Sequence, residues 1–227
     1  MRISLAKSSR ATKALSCCKG KSMYKKIAVF ASGGGTDFQS VIDANEKSKF
    51  CEIAYLVASK PNIGAIERAE KHGINVLTYN PSIGESMDEF YARLTKRFIA
   101  EGIDYILLAG WLKIIPESFI SSFADRIVNI HPSLLPAFGG KGYYGLKVHE
   151  AALSYGVKVS GATVHFVEAE VDGGAIIMQG AVRVENDDTP ESLQQRVLAL
   201  EHEILPAAMK LLCEGKVQKI GRTVKIL

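Results

Sequence analysis

Residues 27–37 read Ile27-Ala28-Val29-Phe30-Ala31-Ser32-Gly33-Gly34-Gly35-Thr36-Asp37. An unbroken apolar run that ends in three glycines describes a strand buried on both faces and entering a tight turn. Phe38, Val41 and Ile42 follow at the spacing of one helical face. Strand, glycine turn and helix in that order open a parallel βαβ unit and predict a doubly wound α/β domain.

The alternation continues outward from this stretch. Residues 52–59 read as a second strand, and Pro61-Asn62-Ile63-Gly64 opens a helix that Gly73 closes. Residues 74–79, 104–109 and 126–130 read as further strands, with an amphipathic helix over 85–101 ending at Gly102. These strands are solid apolar runs, as expected where helices cover both faces of a parallel sheet.

The second half changes character. Residues 159–168 and 175–185 read as strands joined through the short Asp172-Gly173-Gly174 stretch. That connection is too short for a parallel crossover, so the pair is antiparallel. Thr189-Pro190-Glu191 starts a helix with Leu193, Val197, Leu200 and Ile204 as its buried stripe. Pro206 is expected to kink that helix, and residues 216–227 read as a strand or a short pair of strands. The fold class is therefore α/β: a doubly wound, mostly parallel sheet with an antiparallel strand pair in the C-terminal half. Residues 24–227 read as a single domain.

The chain has 227 residues and a formal net charge of +4. Its 47% hydrophobic and 23% charged residues exclude disordered, collagen-like and coiled-coil classes. No apolar run reaches the roughly 18 residues of a membrane span. The charge is unevenly placed. Residues 1–22 carry six basic residues and no acid, so 22 basic and 24 acidic residues remain beyond them, a net −2. This basic tail has no apolar stretch of secretory type. It stays open at this point as an upstream-start artefact ahead of Met23, a disordered extension or a transit peptide. Deleting residues 1–22 is expected to leave kcat/KM unchanged, and a large loss would place the tail in the catalytic unit. Cys17, Cys18, Cys51 and Cys213 form no zinc-binding pattern, which points to a reducing, cytoplasmic compartment and no metal.

Three segments carry chemistry. The glycine turn before Thr36 presents backbone N–H groups at a helix N-terminus, an arrangement that binds phosphate. Lacking both a following Lys and a third spaced glycine, it is neither a Walker loop nor a dinucleotide fingerprint. A tight turn capped by Thr36 or Asp37 explains it equally well. Asn129 and His131 stand two apart at the C-terminal end of a strand and share one face. Amide and imidazole there suit oxyanion stabilisation and proton transfer, although a buried structural pair reads the same. Asp172 lies in a turn, and Thr163 and His165 lie on the preceding strand as supporting residues. Glu201 and His202 read as a solvated helix face.

Taken together, these segments resemble the phosphoribosylglycinamide formyltransferases, from about Lys26 to Leu212. The most specific part is Asn129 through Pro136 followed by Asp172-Gly173-Gly174, which the wider group of 10-formyltetrahydrofolate enzymes shares. The resemblance implies a formyltransferase fold with a Rossmann-like N-terminal half. It implies catalysis by Asn129, His131 and Asp172, with Asp172 favouring the charged imidazolium of His131. It places the phosphoribosylglycinamide at Gly35, Thr36, Asp37 and Glu201. It places folate along Leu112, Lys113, Ile114, Ile115, Asn129, Glu168 and Asp172. The family more often has Asn at position 37, and Met87 stands where some relatives have Arg.

The implied reaction passes the formyl group of 10-formyltetrahydrofolate to the glycinamide amine in purine biosynthesis. The implied partners are these small molecules, with no nucleic acid and no membrane, in a monomer or homodimer. The alternative is a formyltetrahydrofolate deformylase, whose relatives carry an N-terminal regulatory domain that a 22-residue tail is too short to form. A methionyl-tRNA formyltransferase is expected to add a C-terminal domain. A dinucleotide-binding module is disfavoured by the missing third glycine.

Overall fold

A computed structural model describes residues 23–79 and 84–227. The basic tail, with Cys17 and Cys18, lies outside the described residues. Five parallel strands come first: β1 (Lys25–Ala31), β2 (Cys51–Ala58), β3 (Asn75–Thr78), β4 (Tyr105–Leu108) and β5 (Ile127–His131). The strands β6 (Val159–Phe166) and β7 (Ile176–Arg183) then join antiparallel. Together they form one sheet in the order β3-β2-β1-β4-β5-β6-β7.

The helices between them are α1 (Thr36–Lys47), α2 (Gly64–Lys71), α3 (Met87–Glu101), α4 (Glu117–Ser122), α5 (Leu146–Tyr155) and α6 (Pro190–Cys213). A hairpin of β8 (Val217–Ile220) and β9 (Thr223–Ile226) closes the chain.

The apolar run of β1 divides between two cores by simple alternation. Ile27, Val29 and Ala31 face a cluster built with Phe38 and Val41 of α1 and Leu193 and Leu205 of α6. Ala28 and Phe30 face an aromatic cluster with Phe98 of α3 and Phe119 of α4. Phe30 meets Trp111 edge-on at 5.1 Å. Its complete burial contributes roughly 1.5–3 kcal/mol, and its neighbours decide which helices cover that face.

Local signals set the helix ends. In α3, the Ser86 hydroxyl accepts from the Glu89 N–H at 3.2 Å while the Ser86 N–H donates to the Glu89 carboxylate at 2.7 Å. Gly102 stops the helix in a left-handed conformation. Thr189 caps α6 with Pro190 in the first turn, and the helix runs on through Pro206 without ending there. Two helices escape the sequence reading. The six residues of α4 are too few for a periodic pattern, and α5 begins directly after the glycine-rich residues 139–145.

Candidate active site

The sheet order reverses between β1 and β4, and the C-terminal ends of β1, β4 and β5 stand side by side. In open α/β sheets that crevice is where ligands bind. Two hydrogen bonds tie its loops together. The Ser32 N–H donates to the Gly110 carbonyl at 3.1 Å, and the Leu112 N–H donates to the Ser32 hydroxyl at 3.0 Å.

The glycine loop is built by close approach to α2. Gly35 has φ 72°, and a Cβ there would stand 2.7 Å from that of Ala65. A Cβ on Gly64 would stand 3.2 Å from Gly34 Cα. Gly33 O accepts from the Ala65 N–H at 3.2 Å, and Gly34 O accepts from Arg68 Nε at 2.8 Å. With the carbonyls held from behind, no acceptor among the described residues takes the N–H groups of Gly33, Gly34 or Gly35. These donors and the positive end of the α1 dipole are an arrangement able to hold an anion. Neither Thr36 nor Asp37 caps the helix. Gly35 occupies the cap position with no side-chain hydrogen bond, because its left-handed turn already directs the chain.

Asp37 instead turns toward α6. Its Oδ1 lies 3.6 Å from His202 Nε2, and both atoms are buried without a hydrogen-bond partner among the described residues. Burial pushes the Asp37 carboxyl up, and the His202 charge opposes that shift. Glu201 is 7% exposed, and burial, together with the neighbouring Asp37 charge, holds its carboxyl well above the usual range. The expectation of a solvated face at Glu201 and His202 is therefore corrected. The packing of α6 against α1 encloses residues that a single helix pattern would leave outside.

The second cluster lies on β5 and β6. Asn129 pairs in register with His165, and His131 pairs with Thr163. The His165 Nδ1 is 2.8 Å from the Phe166 carbonyl, so it carries the proton and donates. Desolvation holds this buried ring's pKa below the usual imidazole value, which favours the neutral ring. Its Nε2 is then an acceptor and takes the Asn129 amide N–H at 3.1 Å. One amide proton of Asn129 is thereby fixed, and the other remains as a donor.

His131 is oriented from the opposite side. Its Nε2–H donates to the Phe138 carbonyl at 2.8 Å, which leaves Nδ1 turned toward Asp172 Oδ2 at 3.6 Å. Asp172 sits in the β6–β7 turn at φ 55° and accepts the Gly140 N–H at 2.8 Å. Its Oδ1 stands 3.7 Å from His165 Nε2. These separations exceed hydrogen-bond reach, so the carboxylate acts on both rings through charge, and a proton link needs an intervening atom.

The 138–140 backbone therefore positions both His131 and Asp172, a role sequence reasoning missed. The Gly139-Gly140 pair was the available signal. A Cβ at Gly139 would stand 2.4 Å from Leu135 and 3.4 Å from Asp172. Thr163 works from below, donating to the Ser133 carbonyl at 2.7 Å and accepting from the Leu135 N–H at 3.1 Å. The Leu135–Pro136 peptide is cis.

Of the residues expected at a folate pocket, Leu112 and Ile114 are 61% and 92% exposed, Lys113 is exposed and Ile115 is half-buried. Ile115 and Val167 border the same aromatic cluster, which brings the 110–116 and 167–175 segments to one region. Exposed apolar side chains there, including Val171, fit an apolar ring system. Glu168 is engaged by Lys219 at 2.8 Å, a contact from the C-terminal hairpin that sequence reasoning also missed.

Residues 25–209 match the formyl transferase family. Over 200 residues, the chain is 44% identical to a chloroplastic phosphoribosylglycinamide formyltransferase of Arabidopsis thaliana, covering 86% of this chain and 67% of that protein. It is 37% identical to the phosphoribosylglycinamide formyltransferase of Bacillus subtilis, covering 82% of this chain and 93% of that protein. Among solved structures, glycinamide ribonucleotide transformylase 1 from Symbiobacterium toebii superimposes with a TM-score of 0.82 at 41% identity. That match covers 89% of this chain and 94% of the other. Among the plant relatives, the chain spans 62% of the Vigna unguiculata protein.

Proposed function

The chain belongs to the formyl transferase family, among its phosphoribosylglycinamide formyltransferases, and from that premise we propose that it carries the formyl group of 10-formyltetrahydrofolate to the amine of 5'-phosphoribosylglycinamide in purine biosynthesis. The observation that carries this reading is the pairing of two sites on one sheet edge. An anion-binding glycine loop follows β1, and the Asn129–His131–Asp172 cluster lies at β5 and β6. The catalytic unit is the single domain over residues 24–227, acting in the cytoplasm as a monomer or homodimer. Among the described residues, no helix is long and apolar enough to cross a membrane.

The folate supplies an activated formyl group; the residues of the chain supply geometry and charge. Transfer exchanges one C–N bond for another, so the attacking amine loses a proton and the departing folate nitrogen gains one. The free Asn129 amide N–H and a protonated His131 Nδ1 donate to the formyl oxygen as it gains charge. A preorganised donor of this kind lowers the barrier by about 3–4 kcal/mol. Asp172 stabilises the imidazolium and receives the amine proton through an intervening atom. Gly35, Thr36 and Asp37 surround the phosphate, and Glu201 contacts the ribosyl glycinamide. Leu112, Lys113, Ile114, Ile115 and Glu168 border the folate.

Incubating the chain with 10-formyltetrahydrofolate, with and without phosphoribosylglycinamide, while following folate absorbance tests this function. Nucleotide-dependent turnover with a formylated nucleotide product is expected. Turnover to formate without the nucleotide indicates a deformylase, and absence of turnover overturns the assignment.

A further inference from the structure

The pair Asp37 and His202 has no role in the chemistry at β5, yet it is built into the phosphate end. Asp37 occupies the first turn of α1, two residues beyond Gly35. His202 comes from α6, and its ring, 34% exposed, lines a cavity of about 570 Å3 together with Thr36 and Gln39. The facing atoms, Asp37 Oδ1 and His202 Nε2, are buried and unpartnered. At 3.6 Å they are too far apart for a hydrogen bond, so each faces the other with its bonding capacity unfilled. An unsatisfied buried donor beside a vacant acceptor is uncommon in native proteins and marks a place where a ligand completes the bonding.

Charge decides which ligand. Neither Asp37 nor the 7%-exposed Glu201 brings positive charge to a phosphate. Arg68 is committed behind the glycine loop, with Nε on the Gly34 carbonyl and Nη1 on the Gln39 side chain. Lys47 and Lys210 line the cavity with Asp43 and Glu203, but Lys47 ends α1, eleven residues or about 16 Å along the helix from Thr36. Among the described residues, His202 places an unpartnered ring nitrogen beside the helix start.

We propose that His202 is a specificity-determining residue for the acceptor: Asp37 faces its ring, and its Nε2–H donates to a phosphoryl oxygen of phosphoribosylglycinamide. The assignment rests on the formyl-transfer reading above. It makes the acidic residue at position 37 useful, since the carboxylate serves the phosphate through the imidazole.

The test uses the full chain, His202→Asn and His202→Lys, with phosphoribosylglycinamide and with the phosphate-free glycinamide riboside as acceptors. Loss of a charge-assisted hydrogen bond is expected to raise KM for the phosphorylated acceptor about tenfold or more in His202→Asn. The riboside kcat/KM and the folate KM are expected to stay within about twofold, since neither involves the phosphate. Lysine is expected to restore much of the loss. A melting curve shows whether each variant folds, and His202→Gln is used in the same way where one does not. An unchanged KM or an equal loss with both acceptors overturns the proposal. A parent chain that forms no formylated nucleotide overturns the functional reading instead.

Discussion

Asp172→Asn is expected to lower kcat by roughly 10²- to 10⁴-fold while both KM values move less than about threefold. The substitution keeps the shape of the side chain, and the amide oxygen still accepts the Gly140 N–H that Asp172 Oδ2 takes at 2.8 Å. The β6–β7 turn and the 138–140 backbone therefore stay in place. What disappears is the negative charge 3.6 Å from His131 Nδ1 and 3.7 Å from His165 Nε2. Without it the charge facing His131 is gone, and in the proposed mechanism the amine proton loses its acceptor. Steady-state kinetics with both substrates, paired with a melting curve to show intact folding, check this. A kcat within about threefold of the parent would remove Asp172 from the proposed mechanism.

The second large effect is on stability. Gly161→Ala places a Cβ 2.0 Å from the Gly180 carbonyl oxygen and 2.8 Å from Leu134. Gly161 lies inside β6 in register with Ala181 of β7, and β6 pairs with β5 two residues further on, so its backbone does not retreat from Gly180 without breaking the β6–β7 ladder. Overpacking against backbone rather than a flexible side chain falls at the severe end of core substitutions. The expected loss is about 4 kcal/mol, which lowers Tm by roughly 10 °C for a domain of this size. Differential scanning calorimetry measures it directly. A Tm within about 2 °C would show that β6 and β7 separate more easily than their register implies. The same strand carries Thr163 and His165, so residual folded protein is also expected to turn over more slowly.

Much of the architecture was legible because it depends on local periodicity. The run Ile27–Ala31 announces a strand covered on both faces, and the structure divides it between two cores. The spacing of Asn129 and His131 announces a shared face, and both side chains do join one cluster with Asp172. Less was legible wherever a contact crosses between elements. The orientation of Asn129 comes from His165, thirty-six residues away, and the orientation of His131 from a backbone carbonyl beyond a cis proline. Glu201 and His202 looked solvated because a helix pattern describes one helix, whereas their burial results from α6 packing on α1.

The amino-acid sequence by itself therefore determined the strand–helix order, the parallel and antiparallel halves, and the residue types available for formyl transfer. Those follow from side-chain alternation, glycine conformations and chain reach, all of which act over a few residues. Tertiary structure alone decided which nitrogen of each histidine is free, that the 138–140 backbone holds His131 and Asp172, and that Asp37 faces His202. Those follow from the order in which strands assemble in the sheet, which brings distant residues within hydrogen-bond distance and removes the water that would otherwise satisfy them.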